Sequence, residues 1–299
     1  MQSRQTMSDD CCYVELPGGR RLAYAEWGDP QGAPVFYFHG FPGSRMEARL
    51  ADVAARRLGI RLIAPDRPGF GLSPLQSGRR LSDWPGDVAA MADVLQLARF
   101  HVLGVSGGCP YAIACGQAIA GRIPRLAIVC GLGALAGAEH ANGMTASTSA
   151  AVRLYMETAV RAHGAYSLMA GPLMGQFPQL VFNLMIGTAG PADQEVLADP
   201  AVRQAVSDSF AEAFRGGSEG AAQEVGLFTQ PWEIDPTRVN VPVQLWHGDA
   251  DRTAPIAMGQ WLAAVLPDCD ARFIAGEEHF SLIVRYMERI LGDLVGPRN

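Results

Sequence analysis

"HVLGVSGGCPY", residues His101–Tyr111, is the stretch on which the reading of this chain turns. A short apolar run leads into a serine set among glycines, and Cys109-Pro110 then opens a segment of helical composition. The expectation is a strand, a sharp turn carrying Ser106, and a helix that accepts proline in its first turn. The pattern Gly-x-Ser-x-Gly also arises by chance in a chain with 34 glycines, so its meaning depends on what surrounds it.

The same kind of apolar run recurs along the chain: "PVFYFHG" (34–40), "IRLIAPD" (60–66), "RLAIVCG" (125–131), "PVQLWHG" (242–248) and "ARFIAG" (271–276). Each is short, rich in β-branched and aromatic residues and weakly alternating, as strands covered on both faces are. Between them lie helical patterns such as "EARLADVAARRLG" (47–59), "WPGDVAAMADVLQLA" (84–98) and "CPYAIACGQAIAG" (109–121). Alternating strand and helix imply a mainly parallel sheet with helices on both sides. Ahead of them, "CYVELPGGRRLAYAEWG" reads as an antiparallel hairpin at the sheet's edge, so the sheet is mixed.

The alternation stops between "RLAIVCG" and "PVQLWHG" for about a hundred residues of helical pattern. The expected organisation is a core domain from 1–133 and 233–299 with a helical cap at 134–232. The cap holds Met144, Met156, Met169, Met174 and Met185 together with Phe177, Phe182, Phe210, Phe214 and Phe228. Most of these are read as its own interior and some as the roof of a pocket against the main domain.

Composition removes several functions. The 299 residues are 48% hydrophobic and 18% charged, as in a globular protein with one large core or a core plus a smaller unit. The formal charge is -6 and the basic residues are scattered, so nucleic acid is not an expected partner. All 24 basic residues are arginine, which excludes Schiff bases on lysine, pyridoxal phosphate attachment and a Walker A clamp. No long apolar span and no secretory signal core are visible, so a cytoplasmic location without membrane contact is the default expectation. Six cysteines without paired spacing beyond Cys11 and Cys12 suggest reduced, mostly buried thiols. Six histidines without metal-ligand spacing leave no metal or other cofactor expected.

In open α/β sheets the reactive groups gather where strands end at their C-terminal edge. After "VFYF" comes "HGFPGSR", after "LIA" comes "PDRPGFGLS", after "HVLGV" comes Ser106, after "VQLW" comes "HGDADRTAPI", and after "RFIAG" comes "EEHF". A serine, an acidic pair and a histidine thus appear in that order on one sheet edge. A serine hydroxyl needs a base within hydrogen-bond reach, and the base needs an acceptor that fixes its tautomer. Ser106, His279 and an aspartate, Asp249 or Asp251, supply these types.

With "HGFPG", "DRPGFG", "GVSGG", "GDADRTAP" and "GEEHF" in place, the chain resembles the α/β-hydrolase superfamily from about residue 13 to residue 292. The resemblance implies Ser106 as nucleophile, His279 as base and Asp251 as its partner, Asp251 being where the family's Gly-x-x-Asp falls. It also implies that the amides of Phe41 and Gly107 form an oxyanion hole, in which one donor is worth about 3 kcal/mol. Gly104 and Gly108 are expected to relieve crowding around a strained serine. His39 is read as a brace of the oxyanion loop, His247 as a structural residue at a strand end, and Asp66 and Arg67 as braces of a tight turn. Glu277 and Glu278 are read as solvated loop charges.

A serine at the elbow argues against the epoxide hydrolases and dehalogenases of this fold, which attack through aspartate. The function implied is hydrolysis of a carboxylic ester, lactone or thioester of a small, largely apolar substrate through an acyl-enzyme on Ser106. The alternatives are a lyase or carbon–carbon bond hydrolase using the same triad, and a small-molecule receptor that keeps the fold. "HGFPG" and "GVSGG" depart from the "HGGPG" and "GGSWGG" of proline iminopeptidases, which weakens a peptidase reading. Nine acidic against four basic residues between Gly133 and Gln230 favour a neutral or cationic substrate over a polyanion.

Overall fold

The computed structural model describes residues 4–8, 11–134, 176–187 and 189–296. Its strands are β1 (Arg4–Ser8), β2 (Cys11–Glu15), β3 (Arg21–Gly28), β4 (Ala33–Phe38), β5 (Ile60–Pro65), β6 (His101–Val105), β7 (Leu126–Val129), β8 (Val243–Gly248) and β9 (Cys269–Ile274). They form one sheet in the order β1-β2-β3-β5-β4-β6-β7-β8-β9. The pairs β1–β2, β2–β3 and β3–β5 are antiparallel and the rest parallel. The expected hairpin is β2–β3, but it is not the edge, because β1 pairs outside it.

Successive side chains on a strand point to opposite faces, and both faces are covered here. Phe36, Phe38, Val102, Ile128 and Leu245 face a core shared with α2 (Trp84–Val94), α3 (Cys109–Ala118) and α8 (Ile256–Val265). Val35, Tyr37, Leu103, Val129 and Trp246 face a second core with α1 (Asp52–Leu58) and α9 (His279–Val295). This two-sided burial is why the strands show little alternation in sequence. The expected helix at 84–98 ends early, at Val94, where Gln96 turns the chain with φ 57°.

Between β7 and β8 the described residues form α4 (Pro178–Gly187), α5 (Pro191–Leu197), α6 (Pro200–Ala213) and α7 (Glu219–Thr229). Residues 135–175 of the expected cap lie outside the described residues, and with them Met144, Met156, Met169 and Met174. Phe182, Phe210 and Phe214 form an apolar cluster with Phe70 that also touches Phe41, Leu50 and Phe280 of the core. Phe228 joins the main core, whereas Phe177 is exposed. Among the described residues no helix is long and apolar enough to cross a membrane.

The strand order reverses at β4: the chain steps outward to β5 and then crosses back to β6. The loops after β4 and β6 therefore diverge from neighbouring strands, leaving the crevice in which ligands of such sheets bind. Those loops carry His39–Phe41 and Ser106.

Candidate active site

Strand β6 ends at Val105, and Ser106 follows with φ 50°, a left-handed conformation that a side chain adopts at a cost of about 1–3 kcal/mol. The neighbouring backbone leaves no room for other residues. A Cβ on Gly108 would stand 2.1 Å from Phe38 O, and one on Gly104 2.8 Å from Ala112 Cβ. A Cβ on Gly107 would stand 2.6 Å from Phe41 Cβ and 3.1 Å from Phe41 N, so the Gly107 and Phe41 backbones meet beside Ser106.

The loop after β4 is held by His39 and Arg67. His39 Nδ1 lies 2.9 Å from Gly40 O, and Arg67 N lies 3.4 Å from His39 Nε2. A carbonyl only accepts and an amide only donates, so the proton is on Nδ1 and Nε2 is the acceptor. Burial, and then the neighbouring Arg67 cation, push the His39 pKa well below the ordinary histidine value, consistent with that neutral ring. The Arg67 guanidinium donates to the carbonyls of His39 and Gly40 and to Glu224. Asp66 does brace the following turn, accepting from Leu72 N at 3.0 Å and binding Arg45. Arg67 instead reaches out of the turn toward the loop and the insertion.

Strand β8 ends in the loop that carries Asp251, and α9 begins with His279. The structure brings these two together: His279 Nδ1 donates to Asp251 Oδ2 at 2.8 Å. Asp251 Oδ1 accepts from the amides of Thr253 and Ala254, each at 2.8 Å. Burial alone would raise the Asp251 pKa, but the His279 imidazole and these hydrogen bonds hold it below the usual carboxylate range. Burial alone would lower the His279 pKa, yet the carboxylates of Asp251, Asp193 and Glu47 outweigh it and raise it above the ordinary histidine value. With Nδ1–H fixed on Asp251, Nε2 carries the free lone pair, and His279 lines the same cavity as Ser106.

Asp249 sits elsewhere, closing the turn after β9 by accepting from Gly276 N at 2.7 Å. His247 is a buried end residue of β8, with Nε2 on Ala254 O at 2.7 Å. The reading of Glu277 and Glu278 as solvated charges is wrong, for both are buried. Glu277 pairs with Arg285. Glu278 caps α5 by accepting from Asp193 N at 2.9 Å, while Asp193 caps α9 by accepting from Ser281 N at 2.8 Å. The two helices thus cap each other, and a Cβ on Gly190 would stand 1.6 Å from Glu278 Oε1.

The cavity over Ser106 measures about 260 Å³. Its apolar wall includes Phe41, Leu50, Phe182, Ile186 and Phe210, and its charged wall is Glu47, Asp193, Glu278 and Arg252. Of the acidic residues described in the insertion, Asp193 alone lines this wall. Glu224 is paired with Arg67 and Arg79, and Glu212 with Arg45, so that charge is neutralised by core arginines. Glu47 belongs to the loop instead: it accepts from Gly40 N and Tyr37 OH, and enclosure raises its pKa. Sequence patterns missed Glu47, Glu224 and Glu278 because each sits in a helix or loop of ordinary composition. The signal available for Glu224 was a charge within the apolar run "AAQEVGLF".

Cys130, Asp251 and His279 place a thiol, a carboxylate and an imidazole within 4.8 Å of one another. Burial pushes the Cys130 thiol well above its ordinary pKa, so it stays protonated and is a poor metal ligand. The carboxylate and Nδ1 are already engaged with each other.

A family model described as "Alpha/beta hydrolase family" matches residues 35–290. A non-heme chloroperoxidase of Streptomyces lividans is 26% identical over 250 residues, covering 82% of this chain and 83% of that protein. A bifunctional esterase/perhydrolase of Acinetobacter calcoaceticus is 33% identical over 99 residues, covering 32% and 36% of the respective chains. Among solved structures, a hydrolase from Pseudomonas aeruginosa superposes with a TM-score of 0.72 at 18% identity, over 97% of this chain and 100% of that one.

Proposed function

The chain belongs to the α/β-hydrolase family, and on that footing we propose that it is a serine hydrolase cleaving carboxylic esters of small, largely apolar substrates. The observation that carries this reading is the 2.8 Å bond from His279 to Asp251 at a cavity whose wall also bears Ser106 in a left-handed turn. Lactones and thioesters undergo the same chemistry.

Ser106 Oγ attacks the substrate carbonyl as His279 Nε2 removes its proton, and Asp251 holds the ring and stabilises the imidazolium. The oxyanion that forms accepts hydrogen bonds from the amides of Phe41 and Gly107. His279 then gives the proton to the departing alcohol, leaving an acyl group on Ser106. Water, deprotonated by His279, attacks this acyl-enzyme and releases the acid. The core comprises 1–133 and 233–299, and 134–232 is a helical cap that roofs the site. The substrate is a small molecule met in the cytoplasm. The relatives named chloroperoxidase and esterase/perhydrolase support hydrogen peroxide as a second acyl acceptor, which would yield a peracid in place of the acid.

The test is hydrolysis of a short p-nitrophenyl ester with fluorophosphonate labelling. Wild type is expected to turn over and to carry one adduct, on Ser106, and Ser106→Ala to lose both. Unchanged hydrolysis by Ser106→Ala would overturn the reading. Product analysis separates the other classes: an acid plus an alcohol marks an esterase, cleavage without water a lyase, and tight binding without turnover a receptor.

A further inference from the structure

The carbonyl of Gly40 and the N–H of Phe41 belong to one planar peptide group, in which the two point in opposite directions. Whatever holds Gly40 O therefore aims Phe41 N–H. Two donors hold it, Arg67 Nη2 at 3.0 Å and His39 Nδ1 at 2.9 Å, while Arg67 Nη1 holds the preceding carbonyl of His39. A cationic donor on the carbonyl also polarises the peptide and strengthens its N–H as a donor.

Arg67 is itself held. Its Nε donates to Glu224 Oε1 at 2.8 Å, and both side chains are fully buried. Glu224 Oε2 accepts from Tyr111 OH at 2.6 Å and from Arg79, so its second oxygen is anchored as well. Glu224 comes from α7 in the insertion, 157 residues from Arg67. Burying such a charge cluster brings little net stability over apolar packing of the same volume, so stability alone gives no reason for it. Its fork does fix the plane of one peptide.

We propose that Glu224 is a positioning residue for the oxyanion site: through Arg67 it fixes the Gly40–Phe41 peptide, so an insertion helix sets the aim of Phe41 N–H. This rests on the reading of Ser106 as the nucleophile of an ester hydrolase.

The experiment uses the full chain and three variants. Glu224→Gln keeps the volume and an acceptor for Arg67 but removes the charge. Arg67→Lys keeps the charge but cannot span both carbonyls. Gln223→Ala removes a different bond from the same helix to the core, the 3.0 Å bond to Gln76 O, and leaves Arg67 alone. Steady-state kinetics on a p-nitrophenyl ester, inhibition by an aryl trifluoromethyl ketone and thermal melting are measured on each. Expected losses in kcat are about 100-fold for Arg67→Lys and about 10-fold for Glu224→Gln, with KM within about threefold. Affinity for the ketone, whose serine adduct places an oxyanion in the site, should fall in parallel. Gln223→Ala should lower Tm without moving kcat.

Folded Glu224→Gln with unchanged kcat and unchanged ketone affinity overturns the proposal, as does a loss confined to KM. Should Arg67→Lys fail to fold, Glu224→Gln decides by itself. Wild type that neither hydrolyses the ester nor takes the fluorophosphonate on Ser106 overturns the underlying reading, and this proposal with it.

Discussion

The floor and the roof of the cavity are held by different forces. The floor is the sheet edge, where β4, β6, β7 and β8 are fixed to one another by parallel ladders and covered by two apolar cores. The roof is lined from α4 to α6, and the insertion helices are held by the cluster of Phe182, Phe210 and Phe214 and by side-chain links such as Arg45–Glu212 and Arg67–Glu224. Backbone ladders do not depend on any single side chain, whereas side-chain links change with one substitution. Groups that carry the proposed chemistry are accordingly placed by strand ends, and those that shape the cavity by side chains.

The largest expected effect is on the floor. Asp251→Asn should lower kcat by about 10⁴ while leaving Tm nearly unchanged, because Asn can keep the shape but favours the wrong imidazole tautomer. A loss below tenfold, measured by steady-state kinetics, would remove Asp251 from the proposed triad and reopen the choice of acid.

Two phenylalanines sharpen the contrast in stability. Phe36→Ala, in the main core, should cost about 3–5 kcal/mol in denaturant unfolding. Phe210→Ala, in the roof, should cost less globally and raise KM about 10-fold by loosening an apolar wall. Equal losses of stability with KM unmoved would mean that floor and roof unfold as one unit and that Phe210 does not contact substrate.

A smaller effect concerns pH, where roof and floor meet at Asp193. His279 must be neutral to act as base, and its raised pKa keeps it protonated to a higher pH than a free imidazole. Activity should therefore fall as pH drops through a value above 6.5, the ordinary histidine pKa. Asp193→Asn removes one of the carboxylates that raise it, so the acid limb of kcat/KM should move to lower pH. A limb that stays put, or moves upward, would show that Asp193 does not act on His279. The linked stability runs the opposite way to activity: the gain from protonated His279 is present at low pH and lost as pH rises through its folded pKa.

The smallest effect is expected outside both regions. Arg57 and Glu288 form an exposed pair at 3.3 Å, and Glu288→Gln should change stability by less than about 0.5 kcal/mol in urea unfolding. A larger loss would mean that surface charge, and not the two cores alone, contributes to stability.

Most of the floor was legible in the sequence. Strand ends fall within a few residues of the apolar runs, because a strand buried on both faces must be apolar along its whole length. Ser106 follows β6 directly, and Asp251 and His279 come in the short loops just after β8 and β9, so position along the chain gave position at the sheet edge. Strand β1 was not legible, since its pairing with β2 is made by backbone that "RQTMS" does not advertise.

The amino-acid sequence by itself determined the alternation of strand and helix, the elbow and the order of serine, acid and base, all of which are patterns of near neighbours. Only the tertiary structure decided that Glu224 grips Arg67, that Glu278 and Asp193 cap each other's helices, and that Glu47 and, of the insertion's described acids, Asp193 alone face the cavity. Those are pairings between side chains distant in sequence, or a matter of which wall a charge faces, and neither leaves a periodic trace in the chain.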